Sequence, residues 1–592
     1  MLFLDRQPVF CYIGAWPGTS WHSLTAPIAT PSRERVLLFF TALGARFLRF
    51  PPMRHDCAGN TMGVYGRVDK DLGTGLGIGA AGLAAAGAIG WLAAQGNPGI
   101  ALIAIAPAAA LIGLFFAMRP VWLLWGTVIG ALVISGLFKL YLPQLQLVRW
   151  ALSPIAILLA LYAVWGTPGL GPNPGWRPVP SVIWWALGFF AAVTLASAFS
   201  QFLPTRFIVG FKGYFQVWGL LIALAFIPWP PNVIDRLPRV FLVIAFLQLP
   251  FVLHQFLFLV PARAHIGNGI VPIDVVAGSF GASMQGGGAN AVLNAFLAMV
   301  IAGLIAARQL NVISTVRLFL LSAPLTLPIF VNEAKVSVIY LLAVFAVLYG
   351  KDLIQRPLRF LLALLPVSLL LIALMTSFVL HAPSTARLES IQDLIHWTYQ
   401  YNIANDEVGD ELSRFGGFKF WIDRHGLVDI KGTLIGHGLG YTRVGDIETP
   451  YRETASALAD GIPVVINLKQ NIGNTAVVAL LWETGLFGLL LILGLLAATF
   501  RSAGRLERAY ADVPERAAAL RAARPAIAII LITLAHKNVL VFDVAYQTLL
   551  MIIIGFVAYW ERQANMAGLT TSGHAAPSPN ERRPDPQTSS FS

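Results

Sequence analysis

Apolar runs of about 20 residues recur along this 592-residue chain, with short polar connections between them. As an α-helix rising 1.5 Å per residue, such a run matches the roughly 30 Å hydrocarbon core of a bilayer. About fourteen segments read this way, near 72–94, 99–117, 120–138, 149–165, 181–199, 206–228, 239–260, 289–307, 312–331, 334–350, 358–380, 473–499, 525–541 and 543–560. Composition agrees: 57% of residues are hydrophobic and 12% charged, where a soluble chain carries roughly a quarter charged residues. The fold class is all-α, a polytopic integral membrane protein of about 12–14 transmembrane helices with one large loop between late helices.

The 41 Lys+Arg against 29 Asp+Glu give +12. The basic residues sit mostly in short connections, which is the positive-inside pattern, so the charge encodes topology and no nucleic-acid partner is expected. Arg501, Arg505, Arg508, Arg516, Arg521 and Arg524 crowd one connection. Lys351, Arg356 and Arg359 mark a second, Arg308 with Arg317 a third, and Arg236 with Arg239 a fourth. Alternating spans put all four on the cytoplasmic side, and 261–288 and 381–472 on the other. Lys139 and Arg149 are the one dissenting pair. The loop 381–472 therefore faces the periplasm in a Gram-negative inner membrane. The two cysteines, Cys11 and Cys57, precede the first span, so the membrane body holds no disulfide framework or thiolate metal site.

Residues 1–71 read as an N-terminal cytoplasmic segment. Its first part mixes Pro, Arg and Trp without a span or a cleavable signal, and translation is expected to begin at Met53 or Met62. Residues 72–380 form a membrane domain of about eleven helices. The large loop at 381–472 carries amphipathic helices, 473–560 the C-terminal spans, and 561–592 a disordered tail. Gly75, Gly79 and Gly82 point to close helix packing in the first span.

Several polar groups fall on the outer side once topology is fixed. Arg206 begins one span, and Lys212 lies a few residues inside it. Glu333 and Lys335 sit between two spans, and Glu483 lies about two turns into a late one. His536, Lys537 and Asp543 flank the last outer turn. Ionisable groups in spans are expensive and are usually functional or paired; Glu333 and Lys335 also suit a mutual pair. His254 reads as a hydrogen-bonded packing residue. No His/Cys/Asp/Glu grouping shows metal-ligand spacing, and there is no phosphate-cradling P-loop.

"GSFGASMQGGGANAVLNAFL" (Gly278 to Leu297) is a glycine-rich connection running into a helix whose start can offer N–H groups to an anion, or equally a flexible connector. In the large loop, Leu388, Ile391, Leu394 and Ile395 fall at helical spacing, followed by Trp397, Tyr399 and Tyr401. A second helix is expected over "SRFGGFKFWI", with Phe415, Phe418 and Ile422 facing inward. "GHGLG" then makes a turn that presents His437. A loop lined by Arg and His, folded back over a membrane cavity, suits a lid on a lipid-phosphate site.

These residues resemble the O-antigen ligase/polymerase superfamily of membrane glycosyltransferases. That family shows an Arg then a Trp, a P-x-x-G-x-G turn late in a large periplasmic loop, and a span carrying E-x-G-x-x-G. Here they stand as Arg414, Trp421, "LIGHGLG" and "LLWETGLFGLLL", with Glu483, Gly485 and Gly488. Gly278, Phe280 and Asn290 look like the family's mid-chain element, and "NEAKVS" places Lys335 in its basic position. The resemblance spans roughly 200–560. One departure stands out: ligases carry His-Asn where the loop enters the late span, but "KQNIGNTAVV" offers Gln470, Asn471 and Asn474 and no His. This leans the reading toward a polymerase.

The resemblance implies glycosyl transfer on a polyprenyl-diphosphate-linked glycan at the periplasmic face, without a nucleotide sugar, metal or other cofactor. Membrane lipid is a further partner, as are a flippase and a chain-length regulator of the same pathway. Arg forks suit phosphate oxygens, which makes Arg414, Arg206 and Lys335 the diphosphate-binding candidates, with Lys212 and Arg443 next. A general base assists the attacking hydroxyl, and His437 and Glu483 are its candidates. Transfer to lipid A core is the alternative acceptor chemistry. A transporter or flippase for lipid-linked sugars is the alternative class, against which stand the absence of an internal repeat and the one-sided polar groups.

Overall fold

The structure, a computed structural model, describes residues 120–165, 178–200, 204–265, 272–284, 289–332, 334–380, 391–403, 413–442 and 475–569. The described residues are overwhelmingly helical, and no strand occurs among them. Along the chain run α1 Pro120–Tyr141, α2 Leu152–Trp165, α3 Ser181–Phe199, α4 Pro204–Phe215, α5 Trp218–Phe226 and α6 Pro231–Ala264. Then come α7 Asn290–Gln309, α8 Thr315–Val331, α9 Val336–Gln355 and α10 Pro357–Leu380. The large loop contributes α11 Ile391–Asn402, α12 Arg414–Arg424 and α13 Ile430–Ile435. The chain closes with α14 Ala476–Ala509, α15 Pro514–His536 and α16 Val544–Met566.

Among the described residues eight stretches are long and apolar enough to cross a membrane, one of them Pro143–Val164, which runs through most of α2, and a ninth if α4 and α5, bent by 43°, count as one broken span. The expected spans at 312–331, 334–350 and 358–380 correspond to α8, α9 and α10, of which α8 is a shorter apolar helix. The spans expected at 72–94 and 99–117, and the glycines of the first of them, lie outside the described residues. So do the N-terminal segment, Met53, Met62 and both cysteines.

Ambient lipid is written into the surface. On α10, Leu358, Leu361, Leu362, Leu365, Leu369 and Ile372 are each more than half exposed, a continuous apolar face that water does not tolerate. The centre is the reverse: α16 is buried along nearly its whole length. It extends to Met566, six residues past the expected start of the tail, because Glu561 and Arg562 are consumed in packing. Glu561 accepts from the Ser181 hydroxyl at 2.7 Å, and Arg562 donates to the Phe226 carbonyl at 2.9 Å. Helices approach to backbone contact where glycine permits it. A Cβ at Gly219 would strike the Ala156 carbonyl, and one at Gly136 the Ser279 carbonyl, the small-residue packing of membrane helices.

The bundle has two chemically distinct ends, set by the long α14. One end is basic. Arg516 pairs with Asp235 at 3.2 Å and lies over Trp560, Arg521 pairs with Glu507 at 2.6 Å, and Arg239 pairs with Glu515 at 3.0 Å. A cavity of about 650 Å³ there is lined by Lys351, Arg501, Arg505, Arg508 and Arg524. These are the residues of the basic connections. The other end carries the large loop.

Candidate functional site

A turn at Gly436–Gly440 fastens the loop to the bundle. The chain can take it only with glycine at three places: Gly436, Gly438 and Gly440 have φ of 79°, 86° and 78°, a region L side chains avoid. Opposite the turn, α14 breaks at Gly485, φ 65°. The two breaks fit together. A Cβ on Gly436 would lie 2.6 Å from the Gly485 nitrogen, and one on Gly485 would strike the Leu434 carbonyl. The His437 N–H donates to the Trp482 carbonyl at 2.9 Å and the Gly438 N–H to the Glu483 carbonyl at 3.0 Å, carbonyls that the break in α14 turns outward. On the other side of the turn the Leu439 N–H donates to Ser197 at 3.2 Å, and a Cβ on Gly210 of α4 would meet Leu439 at 2.7 Å. The loop does fold back onto the bundle.

Glu483 belongs to this joint. It is fully buried, and its carboxylate accepts from both the Thr442 N–H (3.1 Å) and the Thr442 hydroxyl. The expected base is thus an anchor for the turn.

α12 starts at Ser413, whose hydroxyl caps the Gly416 N–H at 2.9 Å. Its inward face is Gly416, Gly417 and Trp421, while Phe415 and Ile422 point away. This differs from the expected Phe415–Phe418–Ile422 face. The two glycines let the backbone itself approach the bundle, so Phe415 and Ile422 turn toward the surroundings while Phe418 stacks on Trp421. Beyond the end of α12, His425 Nδ1 stands 3.0 Å from the Trp421 carbonyl, and His425 Nε2 lies 2.7 Å from His437 Nε2. Trp421, Trp482 and Tyr441 wall the two imidazoles. Burial pushes the His425 imidazole below its ordinary pKa.

At the start of α12, Arg414 reaches into a different neighbourhood. Its Nε donates to the His536 carbonyl at 2.5 Å and its Nη1 to Asn402 Oδ1 at 3.1 Å, tying α11, α12 and the end of α15 together. Lys537, next to His536, feels Asp274, Asp543, Arg414 and Lys139. Asp274 in turn feels Lys537, Arg263 and Lys335, and accepts from Asn290 at 3.3 Å. Among the described residues, five cations and two carboxylates, drawn from α1, α6, two connections, α12 and the α15–α16 turn, share one electrostatic neighbourhood. Burial pushes the Asp274 and Asp543 carboxyls up and the Lys537 ammonium down. Asp543 also caps α16 through the Tyr546 N–H at 2.9 Å.

Behind this group lie two buried networks. Asn294 and Asn332 exchange amide hydrogen bonds at 2.7 and 2.6 Å, and Asn294 also donates to Ser337 at 2.6 Å; this fixes the hairpin that presents Lys335. The first part of the glycine-rich stretch is packed into the bundle, while 285–288, which lead into α7, lie outside the described residues. Residues Val275–Ala282 are buried. The Ala277 and Gly278 N–H groups donate to Gln255 Oε1 at 2.9 and 2.7 Å, and the Ser279 N–H to Gln248 Oε1 at 2.8 Å. Gln255 opens a π-helical turn in α6, a feature that re-aims a side chain within a helix.

Of the residues expected at the site, the fold brings Arg414 and Lys335 together with Lys537. It puts His437 elsewhere. Arg414 and His425 stand at opposite ends of α12, about 16 Å apart along its axis, so Arg414 and His437 do not flank one small ligand. Lys212 lies 3.7 Å over the Trp150 ring and not in the cation group. The Arg206 side chain, Glu333, Arg443, Gln470, Asn471 and Asn474 lie outside the described residues. His254 accepts or donates to the Tyr141 hydroxyl at 3.0 Å, the packing role expected of it. Arg263 and Asp274 were missed. A signal existed for Arg263, a cation in a connection that the positive-inside pattern places on the outer side. The sequence also shows no metal-ligand spacing, yet the fold gathers His425, Asp429 and His437 with ligand atoms within 4.8 Å of one another.

No protein-family model and no curated protein matches this chain.

Proposed function

We propose that this protein is a membrane glycosyltransferase that polymerises polyprenyl-diphosphate-linked oligosaccharide units at the periplasmic face of the bacterial inner membrane. The observation that carries this reading is the inward-facing group of Lys139, Arg263, Lys335, Arg414 and Lys537, in which, among the described residues, cations exceed carboxylates. Membrane-embedded cations are costly unless a ligand or partner repays their desolvation. A diphosphate at the membrane surface is such a ligand. Arg forks and ammonium groups hold its oxygens and stabilise the charge that grows as the glycosidic C–O bond to phosphate breaks.

The attacking hydroxyl must lie within bonding reach of that same carbon, so its proton acceptor belongs beside the cations. Asp274 has the right place and the right direction of pKa, raised by burial toward neutrality. The imidazole pair lies a helix length away, alongside Trp421, Trp482 and Tyr441, where a sugar chain extending from the diphosphate finds aromatic walls. The collection of ionisable groups at one end of the bundle favours a one-sided reaction over alternating access. The sequence "KQNIGNTAVV", without the ligase His, favours polymerisation over ligation.

The test is the lipid-linked glycan of a strain lacking this protein, complemented with the native chain or with Arg414→Ala. Single units accumulating on the outer face, cleared only by the native chain, are expected. Long chains retained on the carrier lipid would make the protein a ligase. Single units confined to the inner face would replace the enzyme reading with a transporter.

A further inference from the structure

We propose that His425, Asp429 and His437 form a binding site for a divalent transition-metal ion of the zinc class. The site goes beyond the glycosyl-transfer reading and stands or falls separately from it, because its test reads metal and not product.

The ligand atoms converge from three sides. His425 Nε2 and His437 Nε2 are 2.7 Å apart, and Asp429 Oδ2 is 4.0 Å from His437 Nε2. All three lie within 4.8 Å of one another. Two imidazoles and a carboxylate select zinc-like ions over magnesium or calcium, which prefer all-oxygen shells.

Each ligand is aimed by a fixed neighbour. A carbonyl can only accept, so His425 Nδ1 carries the proton it gives to the Trp421 oxygen, and Nε2 keeps its lone pair facing the cluster. This is the outer-shell hydrogen bond that orients metal-binding histidines. Asp429 Oδ1 accepts from the Gly432 N–H at 2.8 Å, which turns Oδ2 toward the imidazoles. The Thr433 hydroxyl closes the same turn on the Asp429 and Gly426 carbonyls, both at 2.8 Å. Gly432 makes the convergence possible, because a Cβ there would strike Asp429 Oδ2 and lie 2.7 Å from His425 Cδ2. His437 is held through its own N–H on Trp482.

Without an ion, His437 Nε2–H donates to His425 Nε2. On binding, that proton moves to Nδ1 or leaves to solvent, and both Nε2 atoms turn their lone pairs to the ion. The Nε2 atoms must then open to about 3.3 Å, the separation that bond lengths of about 2.0 Å impose in tetrahedral geometry. The side chains of His437 and Asp429 are 26% and 42% exposed, so an ion can enter from solvent. Three protein ligands leave one position for water or a substrate oxygen, the arrangement of zinc sites that do chemistry or grip a ligand.

The experiment uses the full chain purified in detergent, stripped with a chelator and titrated with Co²⁺ and Zn²⁺. One ion per chain is expected, with the visible d–d bands of four-coordinate Co²⁺. Affinity should fall at least about tenfold in His425→Gln and in His437→Gln. His437→Cys gives a readout that a collapsed loop cannot supply: a thiolate-to-Co²⁺ charge-transfer band marks the ion at that position. Absence of a stoichiometric ion, equal binding by the native chain and both Gln variants, or a His437→Cys spectrum lacking the thiolate band would each overturn the proposal and leave the two imidazoles as a hydrogen-bonded clamp.

Discussion

Lys139 departs from the charge pattern of the basic connections, as Arg149 and Arg263 do, and the fold shows what it sits beside. It lies near Asp543 and Lys537, within the group proposed to hold the diphosphate. The same group predicts a pH dependence. Burial lowers the Lys537 pKa, with Asp274 and Asp543 opposing that fall and Arg414 and Lys139 adding to it. A lowered ammonium is charged below its shifted value and neutral above it. Affinity for the diphosphate should therefore weaken as pH rises, beginning below the ordinary lysine range, and KM for the lipid-linked substrate measured against pH should show it. Lys537→Arg, which stays charged, should flatten the profile. Asp274 gives a second prediction at this scale. Asp274→Asn keeps the hydrogen bond to Asn290 within reach but removes the proton acceptor. Turnover should fall about 10²-fold or more with KM nearly unchanged; an unchanged turnover number would move the base elsewhere.

At the level of elements, the eight or nine spans among the described residues were legible because a helix in lipid needs only length and apolarity. The joint between loop and bundle was half legible. The motif glycines were visible as glycines, but that Gly436 and Gly485 pack backbone against backbone is a long-range fact that no local pattern encodes. The face of α12 was misjudged for a related reason. Periodicity locates the large apolar side chains, whereas here Gly416 and Gly417 make the close contact beside Trp421, and Phe415 and Ile422 turn outward. The cation group was hardest to see as a group: Lys139, Lys335, Arg414 and Lys537 each stood out singly, but they come from segments up to some four hundred positions apart and no local pattern brings them together. The glycine joint carries its own prediction. Gly436→Ala or Gly485→Ala adds both a positive-φ strain of about 1–3 kcal/mol and a backbone collision, so the loop should detach while the spans remain folded. Limited proteolysis should then cut faster near Leu427 and Val428, which are already 93% and 88% exposed, with little change in far-ultraviolet circular dichroism.

For the whole molecule, the separation of two ends is the feature on which the proposed function depends. One end pairs its arginines with Asp235, Glu507, Glu515 and Glu561, with Arg239 and Arg505 about half exposed. The other draws its cations inward, among carboxylates, asparagines and the fastened loop. Basic residues retained by the membrane's charge asymmetry need no ligand, while buried ones need a partner. The two ends should therefore face different compartments, the loop end being periplasmic. Leu427→Cys and Asp512→Cys, placed separately in a chain with Cys11 and Cys57 replaced by serine, provide the check. In intact spheroplasts a membrane-impermeant maleimide should label Leu427→Cys and spare Asp512→Cys until the membrane is opened. The reverse pattern would place the cation group beside the cytoplasm, where nucleotide-activated sugars are found, and the donor would then have to be sought among them instead of among lipid-linked chains. Equal labelling of both positions in sealed cells would contradict a bundle that separates two compartments at these ends, and with it the one-sided chemistry that distinguishes the transferase reading from a carrier.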